Sequence, residues 1–107
     1  MITIKGDLEI GLLADGVRHR DFVMREATVA DAILAAENVP EGSSGLKLRI
    51  YKAAVQLVNI GPIKEITAEM LLDLPDDDIH PLLAAQDELQ KKLKAGNDIS
   101  GPTELSK

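Results

Sequence analysis

Aromatic side chains are almost missing from this sequence, and that shortage constrains the fold most strongly. Phe22 and Tyr51 are the only two among 107 residues, although 45% of the residues are hydrophobic. The core must therefore consist of Leu, Ile, Val and Ala, a composition that favours closely packed helices. A chain of this length forms one modest core. We predict a single domain over residues 1–95 and a flexible tail over 96–107, which is rich in small and polar residues.

The first part of the chain has the pattern of a β-hairpin. Apolar residues alternate with polar or small neighbours at Leu8, Ile10 and Leu12. Asp15-Gly16 follows and is typical of a two-residue hairpin turn, because glycine readily adopts a positive φ. Residues 17–25 then predict the returning strand, with Phe22 and Met24 pointing inward. Because an isolated hairpin is only marginally stable, we expect it to pack against helices.

Two threonines mark the starts of helices. Thr28 can cap a helix with Asp31 as its reciprocal partner, and Thr67 opens a shorter helix that ends before Pro75. The helix after Thr28 carries an apolar face at helical spacing. That face consists of Val29, Ala32, Ile33 and Ala36.

A central helix is predicted from Leu46 to Ile60, where Gly61-Pro62 stops it. The glycine-rich loop before it, residues 42–45, lacks the Lys-Ser/Thr pair of a phosphate-binding loop, so we interpret it as a linker.

The last helix is predicted to begin at about Asp77 or Asp78. Its inward stripe comprises Ile79, Leu82, Leu83, Gln86, Leu89 and Leu93. Charged residues match the helix macrodipole at both ends, with aspartates at the start and lysines at the end. These are Asp76, Asp77, Asp78, Lys91, Lys92 and Lys94. Favourable four-residue pairs are expected for Asp87 with Lys91 and Glu88 with Lys92. The fold prediction is α+β, with an N-terminal β-hairpin packed on about four α-helices.

The charge balance disfavours a nucleic-acid partner. Eighteen acidic and twelve basic residues give a formal net charge of -6, which repels a phosphate backbone. We interpret Arg18, Arg20 and Arg25 as the solvated face of a strand. The sequence carries neither the pattern of a secretion signal nor an apolar run long enough to cross a bilayer. We therefore expect a cytoplasmic protein with no membrane partner.

Patterns of catalytic or metal-binding residues are weak throughout the sequence. There is no cysteine, so disulfides and thiolate ligands are excluded. His19 and His80 have no partner at a useful spacing, and the serines lie in predicted loops without a positioned histidine. The three aspartates at 76–78 are interpreted as a solvated cap of the last helix rather than a metal site. We expect no enzyme activity, no cofactor and no metal.

The order of features resembles that of the tail assembly chaperones of Mu-like, contractile-tailed phages and prophages. Members of that family commonly show an Arg-Glu-x-Thr-Val-x-Asp stretch after a short β segment, which stands here at residues 25–31. They also have a Leu-rich helix after a Thr-initiated turn, here Ile66-Thr67-Ala68-Glu69-Met70-Leu71 and the helix that follows. The resemblance covers roughly residues 8–93.

The resemblance implies a non-enzymatic protein that binds the long, helical tape measure protein. It would keep that client soluble until tail tube subunits polymerise around it, with the tail tube protein as a further partner, and it would be absent from the mature virion. The family often makes a longer form by ribosomal frameshifting, and Lys91-Lys92 fit codons of a slippery run. The contacts expected for the client are Leu71, Leu72, Leu82, Leu83 and Leu89.

Two other functions remain open at the level of sequence. One is a small structural tail or connector subunit of a phage. The other is an acidic regulatory protein that sequesters a basic partner through Asp73, Asp76, Asp77, Asp78 and Glu88.

Overall fold

The structure, a computed structural model, describes residues 1–99, with 96–99 described by their backbone alone. Within these residues the chain forms a three-stranded antiparallel sheet of order β1-β2-β3 and four α-helices, which confirms the predicted α+β class. The elements in order are β1 (Thr3–Ala14), β2 (Val17–Arg25), α1 (Val29–Asn38), α2 (Gly45–Gln56), β3 (Leu57–Ile60), α3 (Ala68–Leu72), a 3-10 turn (Asp76–Asp78) and α4 (Ile79–Ile99).

The predicted hairpin is confirmed at its turn and on its inward face. Asp15 and Gly16 have φ values of 52° and 76°, the left-handed conformation that a two-residue turn between β1 and β2 requires. Phe22 and Met24 are buried, as expected. The Phe22 ring lies over Gly6, where an added Cβ would stand 2.6 Å from the ring Cζ. Glycine at position 6 therefore makes room for the one buried phenylalanine.

The predicted central helix is wrong in its last turn, which is a strand instead. Helix α2 ends at Gln56, and β3 pairs with β2 through Leu57 opposite Met24 and Ile60 opposite Phe22. An apolar run such as this fits either a buried helix or a buried strand, so periodicity did not separate the two. The Gly61-Pro62 pair makes a tight turn after β3 rather than a helix cap, because Ile60 and Ile63 exchange backbone hydrogen bonds across it.

Strand β1 is interrupted by a bulge that the sequence analysis did not anticipate. Asp7 pairs with Asp21 and Leu12 pairs with His19, so residues 8–11 of β1 stand opposite a single residue of β2. Because the bulge resets the alternation, Leu8 and Leu12 are buried whereas Ile10 is exposed. The expectation that all three would share one face is corrected for Ile10.

The bulge is held by Asp78 from the 3-10 turn. Its fully buried carboxylate accepts hydrogen bonds from the backbone amides of Ile10 at 2.7 Å and Gly11 at 2.9 Å. The interpretation of Asp78 as part of a solvated cap is therefore wrong, because its carboxylate binds two amides of the bulge, of which that of Gly11 is buried. Asp76 and Asp77 are exposed.

Two arginines of β2 satisfy the carbonyls of the same bulge. Arg20 donates from Nε to the carbonyl of Leu8 at 2.8 Å, and Arg18 donates from Nη1 to the carbonyl of Gly11 at 2.9 Å. Both side chains thus form backbone hydrogen bonds and are not a merely solvated strand face.

Helix α4 runs from Ile79 to Ile99, so it continues past the predicted end of the domain at residue 95. The last part of the predicted tail, 100–107, lies outside the described residues. The lysines at 91, 92 and 94 stand inside the helix rather than in its last turn. Asp87 pairs with Arg49 of α2 at 3.1 Å, not with Lys91; in the described part of the chain the only other ion pair joins Arg25 and Asp31.

One core joins the inner face of the sheet to α2, α3 and α4. Its buried members are Leu8, Leu12, Phe22, Met24, Ile50, Ala53, Ala54, Leu57, Ile60, Ala68, Leu71, Leu82, Ala85 and Leu89. Apart from Phe22 they are aliphatic or Met, as the composition predicts. No helix within residues 1–99 combines the length and the apolar character that a membrane span requires.

Replacing Asp78 by Ala is expected to lower the free energy of unfolding by about 2–4 kcal/mol, because the amides of Ile10 and Gly11 lose their side-chain acceptor. Asp77→Ala is the matched control and should change it by less than about 0.5 kcal/mol, since Asp77 is exposed. Urea unfolding followed by circular dichroism measures both. Equal effects of the two substitutions would contradict the role assigned to Asp78.

Candidate binding surface

Most of the leucines expected to contact a partner lie in the core. Leu71, Leu82 and Leu89 are buried between the sheet and the helices, which corrects their assignment to an exposed surface. Leu83 is half-buried, and Leu72 is 46% exposed. The stripe of α4 is therefore used to build the domain, and only Leu72 of this set is open to a partner.

Helix α1 is fixed to the domain by an ion pair that the sequence analysis missed. Asp31 binds the Arg25 guanidinium with both carboxylate oxygens, at 2.6 and 3.1 Å. Arg25 also donates to the carbonyl of Val55 at 3.1 Å. The predicted cap is confirmed, because Thr28 Oγ1 accepts from the amide of Asp31 and the Asp31 carboxylate accepts from the amide of Thr28. The pair thus joins β2, α1 and α2 at one point.

The same contacts hold Asp31 in its ionised form. The hydrogen bond from Arg25 is the largest cause of a lowered pKa at Asp31, and the hydrogen bond from the amide of Thr28 lowers it further. Burial of the carboxylate acts in the opposite direction and raises the pKa. Together they lower the pKa of Asp31 to about 2, and Asp31 in turn raises the pKa of Arg25.

This ion pair decides which side of α1 faces the protein. Asp31 and, one turn later, Ala35 are the buried residues of the helix. At 100° per residue, the apolar stripe at Val29, Ile33 and Ala36 then lies on the opposite side. Val29 is 77% exposed and Ile33 is 53% exposed. The apolar stripe is therefore the exposed side of the helix, because the bidentate ion pair at Asp31 and the close approach at Ala35 turn the other side toward the protein.

We call the exposed stripe formed by Val29, Ala32, Ile33 and Ala36 the outer face of α1. It continues onto α2 through an open groove of about 440 Å³, which Ala36 and Leu48 line together with the loop between the helices. Leu46 and Leu48 of α2 are exposed beside it. Exposed aliphatic side chains thus stand on both helices of the pair, and the groove between them is lined in part by Glu37, Glu41 and the polar loop.

A second groove runs along the other flank of α1. Its volume is about 460 Å³, and Leu34, Tyr51 and Ile66 contribute to its walls. Leu34 is also exposed. Exposed aliphatic groups therefore lie on both sides of the outer face, and clustering of this kind on a protein surface marks an interaction site more often than isolated exposed residues do.

A cleft between α2 and α4 is lined by Arg49, Gln56 and Gln86, whose side chains are hydrogen-bonded within the protein. Gln86 donates to the carbonyl of Arg49 and to the side chain of Gln56, both at 3.0 Å, and Gln56 donates to the carbonyl of Arg25 at 3.0 Å. Arg49 also bonds Gln86 and Asp87. The cleft beside these hydrogen-bonded side chains measures about 270 Å³. Its polar side chains connect α2, α4 and β2, so we assign them a structural role.

The residues considered for chemistry are dispersed. His19 is half-buried against Gly61, whereas His80 is exposed on α4. In the part of the chain that the structure describes, no three His, Asp or Glu side chains come together as a metal site would require. The glycine-rich loop acts as a linker whose Ser44 caps α2 by accepting from the amide of Lys47 at 3.1 Å.

Comparisons with protein-family models, curated proteins and solved structures gave no significant match to this chain.

Acid should remove the contribution of Asp31 to stability. Its pKa is lowered in the folded state, so ionised Asp31 stabilises the fold at neutral pH, and this stability is lost as the pH falls from about 4 to about 2. After allowance for solvent screening of the partly exposed guanidinium, we expect wild type to exceed Asp31→Asn by about 1 kcal/mol at pH 6 and the gap to shrink at pH 2.

Urea unfolding at a series of pH values measures this gap. Glu37→Gln is the matched carboxyl-to-amide control on the exposed side of the same helix. The free energy of unfolding of Glu37→Gln should stay within about 0.5 kcal/mol of the wild-type value at pH 6. A wild-type advantage over Asp31→Asn that is independent of pH would contradict the ion pair.

Proposed function

We propose that this chain is a non-enzymatic tail assembly chaperone of a Mu-like, contractile-tailed phage or prophage, and that it binds the tape measure protein. The observation that carries the proposal is the outer face of α1, an exposed aliphatic stripe on a helix fixed by the Arg25–Asp31 ion pair. The Arg-Glu-x-Thr-Val-x-Asp stretch that resembles the family builds this same part of the molecule.

The Arg-Glu-x-Thr-Val-x-Asp stretch, residues 25–31, holds the start of α1 in place. Arg25, Thr28 and Asp31 form the joint that holds the start of α1, and Val29, inside the same stretch, is exposed at the beginning of the outer face. A rigid joint reduces the entropy lost when the face binds a partner, because the helix is already ordered. The motif residues therefore act as positioning residues for the binding surface.

A long helical protein exposes apolar stripes until it is packed inside an assembly, and such stripes aggregate. A short helix with an aliphatic outer face can cover one of them by helix-to-helix packing. Each buried Val, Leu or Ile side chain contributes about 1.5–3 kcal/mol before the costs of association are subtracted. Val29 and Ile33 of the outer face, together with the neighbouring Leu46 and Leu48, are four exposed residues of this kind. Such a set suits micromolar, reversible binding, about -8 kcal/mol, which permits release during assembly.

The negative charge of the chain suits the same role. A formal net charge of -6 opposes association between copies of the chain and keeps a complex with an apolar client in solution. On this proposal the protein acts in the cytoplasm of the host cell, needs no cofactor, is absent from the mature virion and transfers its client to the polymerising tail tube protein.

Co-expression with the tape measure protein encoded in the same gene cluster tests the proposal. We expect the client to be insoluble alone, and to co-purify in a soluble complex when this chain is present. Two results would overturn the proposal: a gene cluster without a tape measure gene, or a client that stays insoluble in the presence of a folded chain. Detection of the chain in purified mature particles would instead support a structural tail or connector subunit.

Substitution of one exposed residue tests the surface itself. Ile33→Asp should weaken the complex about tenfold or more, because it places a charge in the middle of an apolar contact. Leu13→Asp is the matched control, since Leu13 is 57% exposed at the hairpin, against 53% for Ile33. Pull-down and circular dichroism measure binding and folding. Equal binding by the two folded variants would show that the client contacts another surface.

The resemblance also implies a longer form of the protein made by ribosomal frameshifting, and the gene sequence tests for it separately. It requires a slippery run at or near the codons for Lys91-Lys92 and an overlapping downstream frame. A gene with neither feature contradicts this part of the proposal and leaves the binding function untouched.

The acidic regulator is less well supported. Of the five carboxylates assigned to it, Asp78 is buried against the β1 bulge and cannot contact a partner.

A further inference from the structure

The charged residues around α1 indicate which kind of partner segment fits the outer face of α1. No lysine or arginine occurs between Arg25 and Lys47, whereas this stretch contains four acidic residues. They are Glu26, Asp31, Glu37 and Glu41. The outer face of α1 is thus bordered along its own helix by acidic groups alone, whereas Lys47 stands between Leu46 and Leu48 at the start of α2.

Two of these carboxylates already have partners within the chain. Asp31 is paired with Arg25, and Glu26 accepts a hydrogen bond from the amide of Ile2 at 2.6 Å. Glu37 and Glu41 are exposed; Glu37 lies in the last turn of α1, and Glu41 lies in the loop that follows the helix. That end of the helix has no basic residue in its last turn, so its macrodipole adds to the negative potential there.

We propose that the segment docking on the outer face of α1 is an amphipathic helix whose apolar stripe is flanked by lysine or arginine residues, with those cations near Glu37 and Glu41. This inference rests on the proposed function and specifies the part of the client that binds. Helix α1 has 10 residues and is about 15 Å long, so it matches about three turns of a partner helix with apolar residues at i, i+3 or i+4, and i+7.

A second copy of this chain is the less suitable occupant. A second copy has no lysine or arginine between its own Arg25 and Lys47 to pair with Glu37 and Glu41, and both copies carry a formal net charge of -6, which disfavours such an interface.

Two designed peptides provide the probe. Both are amphipathic helices with the same leucine stripe; one has lysines beside the stripe and the other has glutamates. Fluorescence anisotropy measures their binding to the full chain. We expect the lysine peptide to bind about tenfold more tightly at low salt, and its advantage to fall as salt is added, because exposed charges are screened.

Charge-reversed variants test where the preference arises. Glu37→Lys with Glu41→Lys should abolish or reverse the preference for the lysine peptide. Asp77→Lys with Glu88→Lys is the matched control, because it changes the net charge equally at exposed positions on the 3-10 turn and α4. The control should retain most of the preference. Equal losses in the two double variants would overturn the proposal, since net charge alone would then explain them.

The outcomes separate this inference from the proposed function. A soluble complex with the tape measure protein, combined with no preference between the peptides, would reject the basic helix and retain the chaperone. A clear preference for the lysine peptide without any complex would support the surface chemistry and reject the tape measure protein as the client. Sedimentation of the chain as a dimer that Ile33→Asp converts to a monomer would assign the face to a second copy and reject the inference.

Discussion

The bidentate ion pair between Arg25 and Asp31 determines the orientation of α1, and the candidate binding surface depends on that orientation. Apolar periodicity alone would turn Val29 and Ile33 toward the core. The ion pair instead draws Asp31 inward at the point where β2, α1 and α2 meet. A carboxylate at this depth is stable only when it is paired, and here the guanidinium and the cap amide supply its partners. The aliphatic side of the helix is left to the solvent as a consequence.

Asp78 is a second buried carboxylate that fixes the position of a helix. In the sequence Asp78 is the last of three consecutive aspartates before α4. In the structure its carboxylate accepts hydrogen bonds from two amides of β1, 67 and 68 residues away. It thereby ties the start of α4 to the bulge that brings both Leu8 and Leu12 into the core. Asp31 and Asp78 together show how a domain nearly without aromatic residues fixes its helices: polar contacts set their orientation, and aliphatic packing fills the space between them.

Local signals predicted the elements that depend on neighbouring residues. The Asp15-Gly16 turn, the caps at Thr28 and Thr67, and the inward positions of Phe22 and Met24 follow from backbone conformation and strand alternation, and all are present. Features that depend on distant residues were missed. Strand β3 forms because β2 offers a free edge, the β1 bulge depends on Asp78, and the exposure of Val29 and Ile33 depends on Arg25. The core leucines of α3 and α4 resembled a docking stripe because sequence does not show what covers them.

Hydrogen–deuterium exchange on the free chain and on its complex with the proposed client, the tape measure protein, measures whether that client binds the outer face of α1. Complex formation should slow exchange of backbone amides in α1 and at the start of α2, from about Val29 to Leu48, while the exchange of α4 stays unchanged. Slowed exchange confined to α4 or to the β1–β2 hairpin, with α1 unaffected, would contradict the account.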